Sequence, residues 1–206
     1  MEILITIQNR ARGLKRPGWK LVAVALAILH LWGACVFSSG AADAPALSEY
    51  QVKALFLFNF AKYVDWPPQA FATGTAPIVI GVVGTDNFGD SFKQVIAGKT
   101  VNGRAVVIKQ VTDEPGYQAC HILFVSVSEK GRIAEILSAV KDTAVLTVGE
   151  TDQFLTQNGM INLRKKDNKI RLEINLGGAQ RANLKLSSKL LGVADTVVNK
   201  PEIPKG

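Results

Sequence analysis

The sequence predicts an α/β fold: a mainly parallel sheet sandwiched by helices, closed by a C-terminal β-hairpin and helix. Three observations carry this. Short apolar runs alternate with stretches of helical period from Ile78 to Val148, and strands alternating with helices need crossovers that make a sheet parallel. Met160–Leu163 and Ile170–Ile174 flank the polar run Lys165-Lys166-Asp167-Asn168, which reads as a hairpin. Ahead of both, Glu49 to Val64 is apolar nearly all round, and such a helix belongs in the interior.

The elements are taken in chain order. Ser48 is placed to cap the first helix, and Glu49 suits its positive end. Pro67 and Pro68 stop it and push Trp66 to extended geometry. Phe58 is expected in the core. Asn59 is expected there too, its amide bonded to a neighbour, because a buried unpaired amide is costly. Ile78–Val83 suits a strand buried on both faces. Phe88, Phe92, Val95 and Ile96 recur at helical spacing before Gly98. Asn102-Gly103 is a turn, Arg104–Val111 a second strand, Asp113–Gly116 a loop and Ile122–Val127 a third strand. Ser128 is expected to cap a helix striped by Ile133, Ile136, Leu137 and Val140, with Ala144–Val148 a fourth strand. In the hairpin, Ile170, Leu172 and Ile174 face one way and Arg171 and Glu173 the other. Asn175 can cap the segment after it. Leu186, Leu190, Val193, Ala194 and Val197 then set a final helical stripe before Pro201.

The first 42 residues read as a signal peptide: a basic stretch to Lys20, an apolar run Leu21–Leu31, then Gly40 and Ala42 as small residues ahead of Asp43. An uncleaved anchor is the alternative. Gly33-Ala34-Cys35 resembles the end of a lipobox, but Trp32 stands where an aliphatic residue is expected. Residues 43–198 then form one domain, and 199–206 a polar tail. Of the formal charge of +7, the leader carries +4; the remaining +3 is too small to argue for nucleic acid. After processing, Cys120 stands alone, so no internal disulfide can form, and its place at the head of C-H-I-L-F-V favours burial.

Chemistry is sparse. The loop after the first strand, Gly84 to Ser91, has the glycine spacing of a phosphate-binding loop, but Asp90 stands where the lysine belongs. Asp86, Asn87 and Asp90 therefore remain only candidates for holding a small ligand at the carboxyl end of a strand. Asp86, Asp90 and Glu150 could meet at one sheet edge, an ordinary arrangement for acids in this fold class. His121 adjoins Cys120, and neighbours on a strand point to opposite faces, so the two do not share a metal. No G-x-S-x-G occurs. No enzyme, metal or cofactor is expected. Arg164, Lys165 and Lys166 with Lys169 and Arg171 form a basic hairpin tip, suited to an acidic partner or anionic headgroups or to blocking edge pairing.

The chain resembles the YfiR-like family of bacterial periplasmic proteins. The resemblance rests on Phe58–Pro67 (F-N-F-A-K-Y-V-D-W-P), I-G-V-V-G-T-D from Ile80, C-H-I-L-F-V from Cys120, I-R-L-E-I-N-L from Ile170, Ala179, and Leu186–Leu191. It implies a non-catalytic regulator that binds the periplasmic part of a membrane-anchored diguanylate cyclase and represses it, lowering cyclic di-GMP. Envelope redox or stress signals relieve such repression. The lone Cys120 departs from the disulfides of the understood members. Surface residues offered to the partner are Arg164, Lys165, Lys166, Arg171 and Glu173 of the hairpin and Lys185 and Lys189 near the C-terminus; a second copy of the chain is a further candidate partner. The alternative is a periplasmic ligand-binding module using Asp86 and Asn87.

Processing is directly testable. Intact mass of periplasmic protein is expected to place the first residue at or near Asp43. A mass retaining residues 1–42 contradicts cleavage, and a diacylglyceryl mass on Cys35 establishes the lipoprotein instead.

Overall fold

In a computed structural model, residues 47–199 are described. The proposed signal peptide, Cys35, the cleavage site and residues 200–206 of the tail lie outside them. Helix α1 (Glu49–Tyr63) opens the domain, followed by β1 (Val64–Asp65) and a 3-10 turn at Pro68–Ala70. Then come β2 (Ile78–Val83), α2 (Asp90–Ile96), β3 (Thr100–Val101), β4 (Arg104–Gln110), α3 (Glu114–Gln118), β5 (Ile122–Val125), α4 (Ile133–Ala139) and β6 (Leu146–Gly149). The hairpin strands are β7 (Ile161–Lys166) and β8 (Lys169–Asn175). The chain ends in α5 (Leu176–Arg181), β9 (Lys185–Leu186), α6 (Ser188–Gly192) and β10 (Thr196–Val198).

Eight strands form one sheet in the order β10-β8-β7-β6-β5-β2-β4-β3. β4, β2, β5, β6 and β7 run parallel to their neighbours in that series, and β10 runs parallel to β8; the β7–β8 and β3–β4 pairs are antiparallel. The α/β class and the mainly parallel sheet agree with the sequence expectation. A separate two-stranded sheet pairs β1 with β9.

One core lies where α1, α2 and α6 meet the sheet: Leu57, Phe60, Phe92, Ile80, Phe124 and Leu190 are buried together. The other gathers Tyr117 of α3, Ile133, Ile136 and Leu137 of α4, Leu123, Val125 and Phe154. Strand side chains alternate between faces, so β5 sends Ile122 and Phe124 to the first core and Leu123 and Val125 to the second. Phe154 reaches the sheet because Gly149 and Gly159 flank its ring; a Cβ at either glycine would collide with it.

Ser48 caps α1 in a complete capping box with Gln51, and Asn175 caps α5 through the Gly178 N–H. The hairpin turns through Asp167 and Asn168, both in the left-handed region that a two-residue type I′ loop requires. Asn102 and Gly103 make the same kind of turn, joining β4 to β3, a strand the sequence did not show.

Four expectations fail. α1 is covered on one side only: Leu55 is 36% exposed, Asn59 is exposed and Phe58 is half-buried, whereas Lys53 is 2% exposed. Asn59 thus needs no internal partner. Asp113 is an N-cap rather than part of a loop, its carboxylate accepting from Gly116 N at 2.9 Å. Ser128 caps no helix; α4 begins after Arg132, and the Ser128 hydroxyl accepts from Thr85 N at 2.9 Å. The final stripe is broken into β9, α6 and β10, with Val193 64% and Val197 41% exposed. The open edge of β8 explains the break. Asp195 exchanges bonds with Leu172 (2.8 and 2.9 Å), and β-branched Thr196–Val198 then extends the sheet.

The burial difference on α1 makes a prediction. Phe60 is fully buried and Phe58 is not, so Phe60→Ala is expected to cost about 3–5 kcal/mol through lost burial and a cavity, and Phe58→Ala clearly less. Urea unfolding of both variants checks the order; equal losses contradict this packing.

Candidate functional site

The chain runs from β2 out to β4 on one side and returns, through α3, to β5 on the other. The carboxyl ends of β2 and β5 are therefore the switch point where open α/β sheets hold ligands. Here that crevice is closed by the protein itself. Ser128 accepts from Thr85 N, Gln110 donates to Gly84 O, and Ser128 and Glu129 press on Gly84 so closely that a Cβ there would collide with both.

Beside the closed crevice lies a charge cluster. α1 presents Glu49, Tyr50 and Lys53 toward the sheet's carboxyl edge, where Glu150 comes directly after β6. Lys53 Nζ lies 2.5 Å from Glu49 Oε1 and 2.6 Å from Glu150 Oε2. The side chains of Lys53 and Glu150 are each 3% exposed. Glu150 also accepts from Val127 N at 2.7 Å and from the Tyr50 hydroxyl at 3.2 Å, and Asn87 donates to that hydroxyl at 3.0 Å. From the hairpin, Lys165 reaches Glu49 Oε2 at 3.0 Å. The cluster ties α1, the loops after β2, β5 and β6, and the hairpin together.

These partners set the protonation states. Burial lowers the pKa of Lys53, but its bonds to Glu150 and Glu49 outweigh this and hold it above the ordinary lysine value. Burial likewise raises that of Glu49, and Lys53 and Lys165 overcome it, keeping the carboxyl below its usual range. Burial and the Glu150 charge push the Tyr50 phenol up. A charged, hydrogen-bonded cluster of this kind holds elements in register.

The structure separates most of the residues read from the sequence. Asn87 joins the cluster through Tyr50. Asp86 accepts from Phe88 N at 2.8 Å and Asp90 pairs with Lys93 at 3.0 Å, so both carboxylates are engaged within their own segment, and neither meets Glu150. Arg164 pairs with Glu173 (2.9 Å), which also accepts from Asn162, and Arg171 pairs with Asp195 (2.8 Å). Lys165 and Lys166 stand exposed at the hairpin tip. Lys185 and Lys189 are exposed on β9 and α6. Lys165 meets the first residue of α1, while Lys185 lies opposite Asp65 just past its end. Fifteen helical residues separate the two patches by roughly 20 Å.

Lys53 was legible only as an interruption of an apolar helix, although its i,i+4 relation to Glu49 was there to be read. His121 lies at the opposite, amino end of β5. Its Nδ1 accepts from Val79 N at 3.1 Å, and its ring stacks on Phe71 at 4.5 Å. Burial, aided by the charge of Arg104, keeps it neutral to lower pH than an ordinary histidine. Cys120 points into the other core, its thiol donating to Gly116 O at 3.1 Å and pushed by burial to a pKa of about 11.

The domain is thus an α/β sheet whose switch point is filled by its own residues, with a charged cluster beside it. The pattern of the YfiR/HmsC-like family matches residues 50–195, and the chain belongs to that family. No curated protein matches the chain. Among solved structures, a conserved domain protein from Vibrio cholerae O1 biovar El Tor superposes with a TM-score of 0.52 at 12% identity, covering 74% of this chain and 61% of that one. An ABC domain in complex with L-Trp from Streptococcus pneumoniae gives 0.48 at 10% identity, covering 70% and 60%. The chain thus spans about three-fifths of the length of these structures, and the likeness to the Vibrio cholerae structure concerns the fold alone.

The buried pair makes a sharp prediction. Lys53→Met strands a carboxylate in the interior and is expected to cost about 3–5 kcal/mol, whereas the double variant Lys53→Met with Glu150→Leu loses much less, because an apolar pair can replace a buried ion pair. A double-mutant cycle on urea midpoints reads the difference; additive losses contradict the pairing.

Proposed function

We propose that this protein is a non-catalytic periplasmic regulator. It binds the periplasmic part of a membrane-anchored diguanylate cyclase, or of a related membrane sensor, and represses it, lowering cyclic di-GMP. The observation that carries this reading is the YfiR/HmsC-like match across residues 50–195. The sealed crevice supports it, since a protein whose ligand position is filled by its own side chains works through its surface.

The hairpin tip is the proposed contact. Lys165, Lys166 and Lys169 are exposed on paired strands, and charge on rigid elements steers association and sets specificity. A regulator shifts a partner only by binding one of its states better than another. The Lys165–Glu49 pair links this tip to α1. Arg164, Arg171 and Glu173 are engaged within the domain and hold the tip's geometry. Lys185 and Lys189 would be a separate contact at the far end of α1.

Deleting the gene is expected to raise cyclic di-GMP and biofilm formation. Lys165→Glu with Lys166→Glu is expected to reproduce the deletion at the cost of a half-exposed ion pair, about 1 kcal/mol or less. Glu49→Gln, which removes that pair together with the Glu49–Lys53 ion pair and leaves the tip basic, should keep repression. Unchanged cyclic di-GMP in the deletion strain refutes the repressor; full repression by the charge-reversed protein moves the contact elsewhere.

A further inference from the structure

A second site lies away from the charge cluster, in a groove of about 710 Å³ between α4 and α5. That volume falls within the range of small-molecule sites. Leu137, Val140 and Met160 make its apolar wall, and Ala134, Gly178 and Ala182 put no bulk into it. Thr147 is its buried polar lining residue, and its hydroxyl already accepts from Met160 N at 3.1 Å. That hydroxyl thus has a partner without an occupant.

The charged groups sit at the ends of the two helices. Lys141 lies just past α4 and Arg181 closes α5; both line the groove, and neither makes an ion pair among the described residues. Helix C-termini welcome cations, which accounts for their position and leaves their charges open to a ligand. Asp142 also lines the groove, so the three side chains together carry one net positive charge. A second hollow of about 820 Å³, beside Trp66 and Leu184, borders it at Asp142 and Ala182.

An apolar wall, a buried lining hydroxyl already partnered and one net positive charge fit one kind of molecule. We propose that this groove binds a single-chain anionic amphiphile of the fatty-acid class, its chain along Leu137, Val140 and Met160 and its carboxylate against Lys141 and Arg181. The site is independent of the hairpin and of any cyclase.

Calorimetry with octanoate, decanoate and dodecanoate below their micelle-forming concentrations tests it on the purified protein. Saturable one-to-one binding is expected, tightening by roughly fourfold per added methylene until the groove is full. Dodecyltrimethylammonium should bind at least tenfold more weakly, and Lys141→Glu with Arg181→Glu should reverse that preference. Ala134→Trp, which fills the groove, should abolish binding without lowering the melting temperature. If the double charge variant fails to fold, the Trp variant and the headgroup comparison still decide. Absence of saturable binding overturns the proposal. So does equal affinity for both headgroups, which would instead fit an apolar side chain of a partner protein or a second copy. Affinity independent of chain length overturns it as well, leaving only a simple anion site.

Discussion

The rest of the structure depends on one buried ion pair. Lys53 lies in the first helix and Glu150 at the end of the fourth central strand, 97 residues later. Both charges are out of water, so each needs the other. Net stabilisation from such a pair is small, because desolvation cancels much of the attraction. Its effect is selective. Sliding α1 by one turn along the sheet would keep much of its apolar surface in the core it shares with Phe124 and Leu146, yet would leave a lysine and a glutamate buried alone. The pair therefore fixes the register of an otherwise greasy helix. Tyr50, Val127 and Asn87 then bond around it, which sets the loops after three strands in one arrangement.

The same pair explains what was legible in the sequence and what was not. Period and capping are local properties, so α1, β2, β5, the hairpin and the Asn175 cap could be read from neighbouring residues. The burial of Lys53 could not, since it depends on a glutamate nearly a hundred residues away; the helix looked apolar all round because its one buried charge counted as a blemish. The break-up of the C-terminal stripe has the same cause at another scale. Leu186, Leu190, Val193 and Val197 have helical spacing, but β8 offers an open edge, and sheet extension by Thr196–Val198 overrides the local preference. Ser128 has the composition of a cap and was taken up by Thr85 across the sheet edge instead.

The switch point is filled by the protein's own side chains. In an open parallel sheet the carboxyl ends of the strands point backbone groups at empty space, which is why ligands gather there. In this protein Ser128, Glu129, Gln110 and Glu150 occupy that space and satisfy those groups. Gly84 then has a packing reason, whereas Gly89 has open space around it and a positive φ of 51°. Gly84 carries a positive φ of 86° and faces Ser128 and Glu129 at contact distance, so the residue type reflects closeness of protein to protein, as it would reflect closeness to a phosphate elsewhere.

Cys120 bears on how such a protein receives signals. Its thiol is shielded beneath Gly81, where a Cβ would lie 2.5 Å from the sulfur, and it donates to Gly116. With its pKa pushed to about 11, almost none is thiolate at neutral pH, and the thiolate is the reactive form. Oxidation at this position would require the β2–β5 core to open first. Among the described residues Cys120 has no second cysteine to pair with, and control by this thiol alone is opposed by its burial. Among the ion pairs of the charge cluster, the least shielded is the link from Lys165 to Glu49, whose side chains are 51% and 28% exposed. It joins the surface tip to the buried pair, and only a surface pair is cheap enough to exchange for an acid on another molecule. If the hairpin is the contact, as proposed, coupling between the domain's interior and a partner would run through competition for one lysine and not through the chemistry of sulfur.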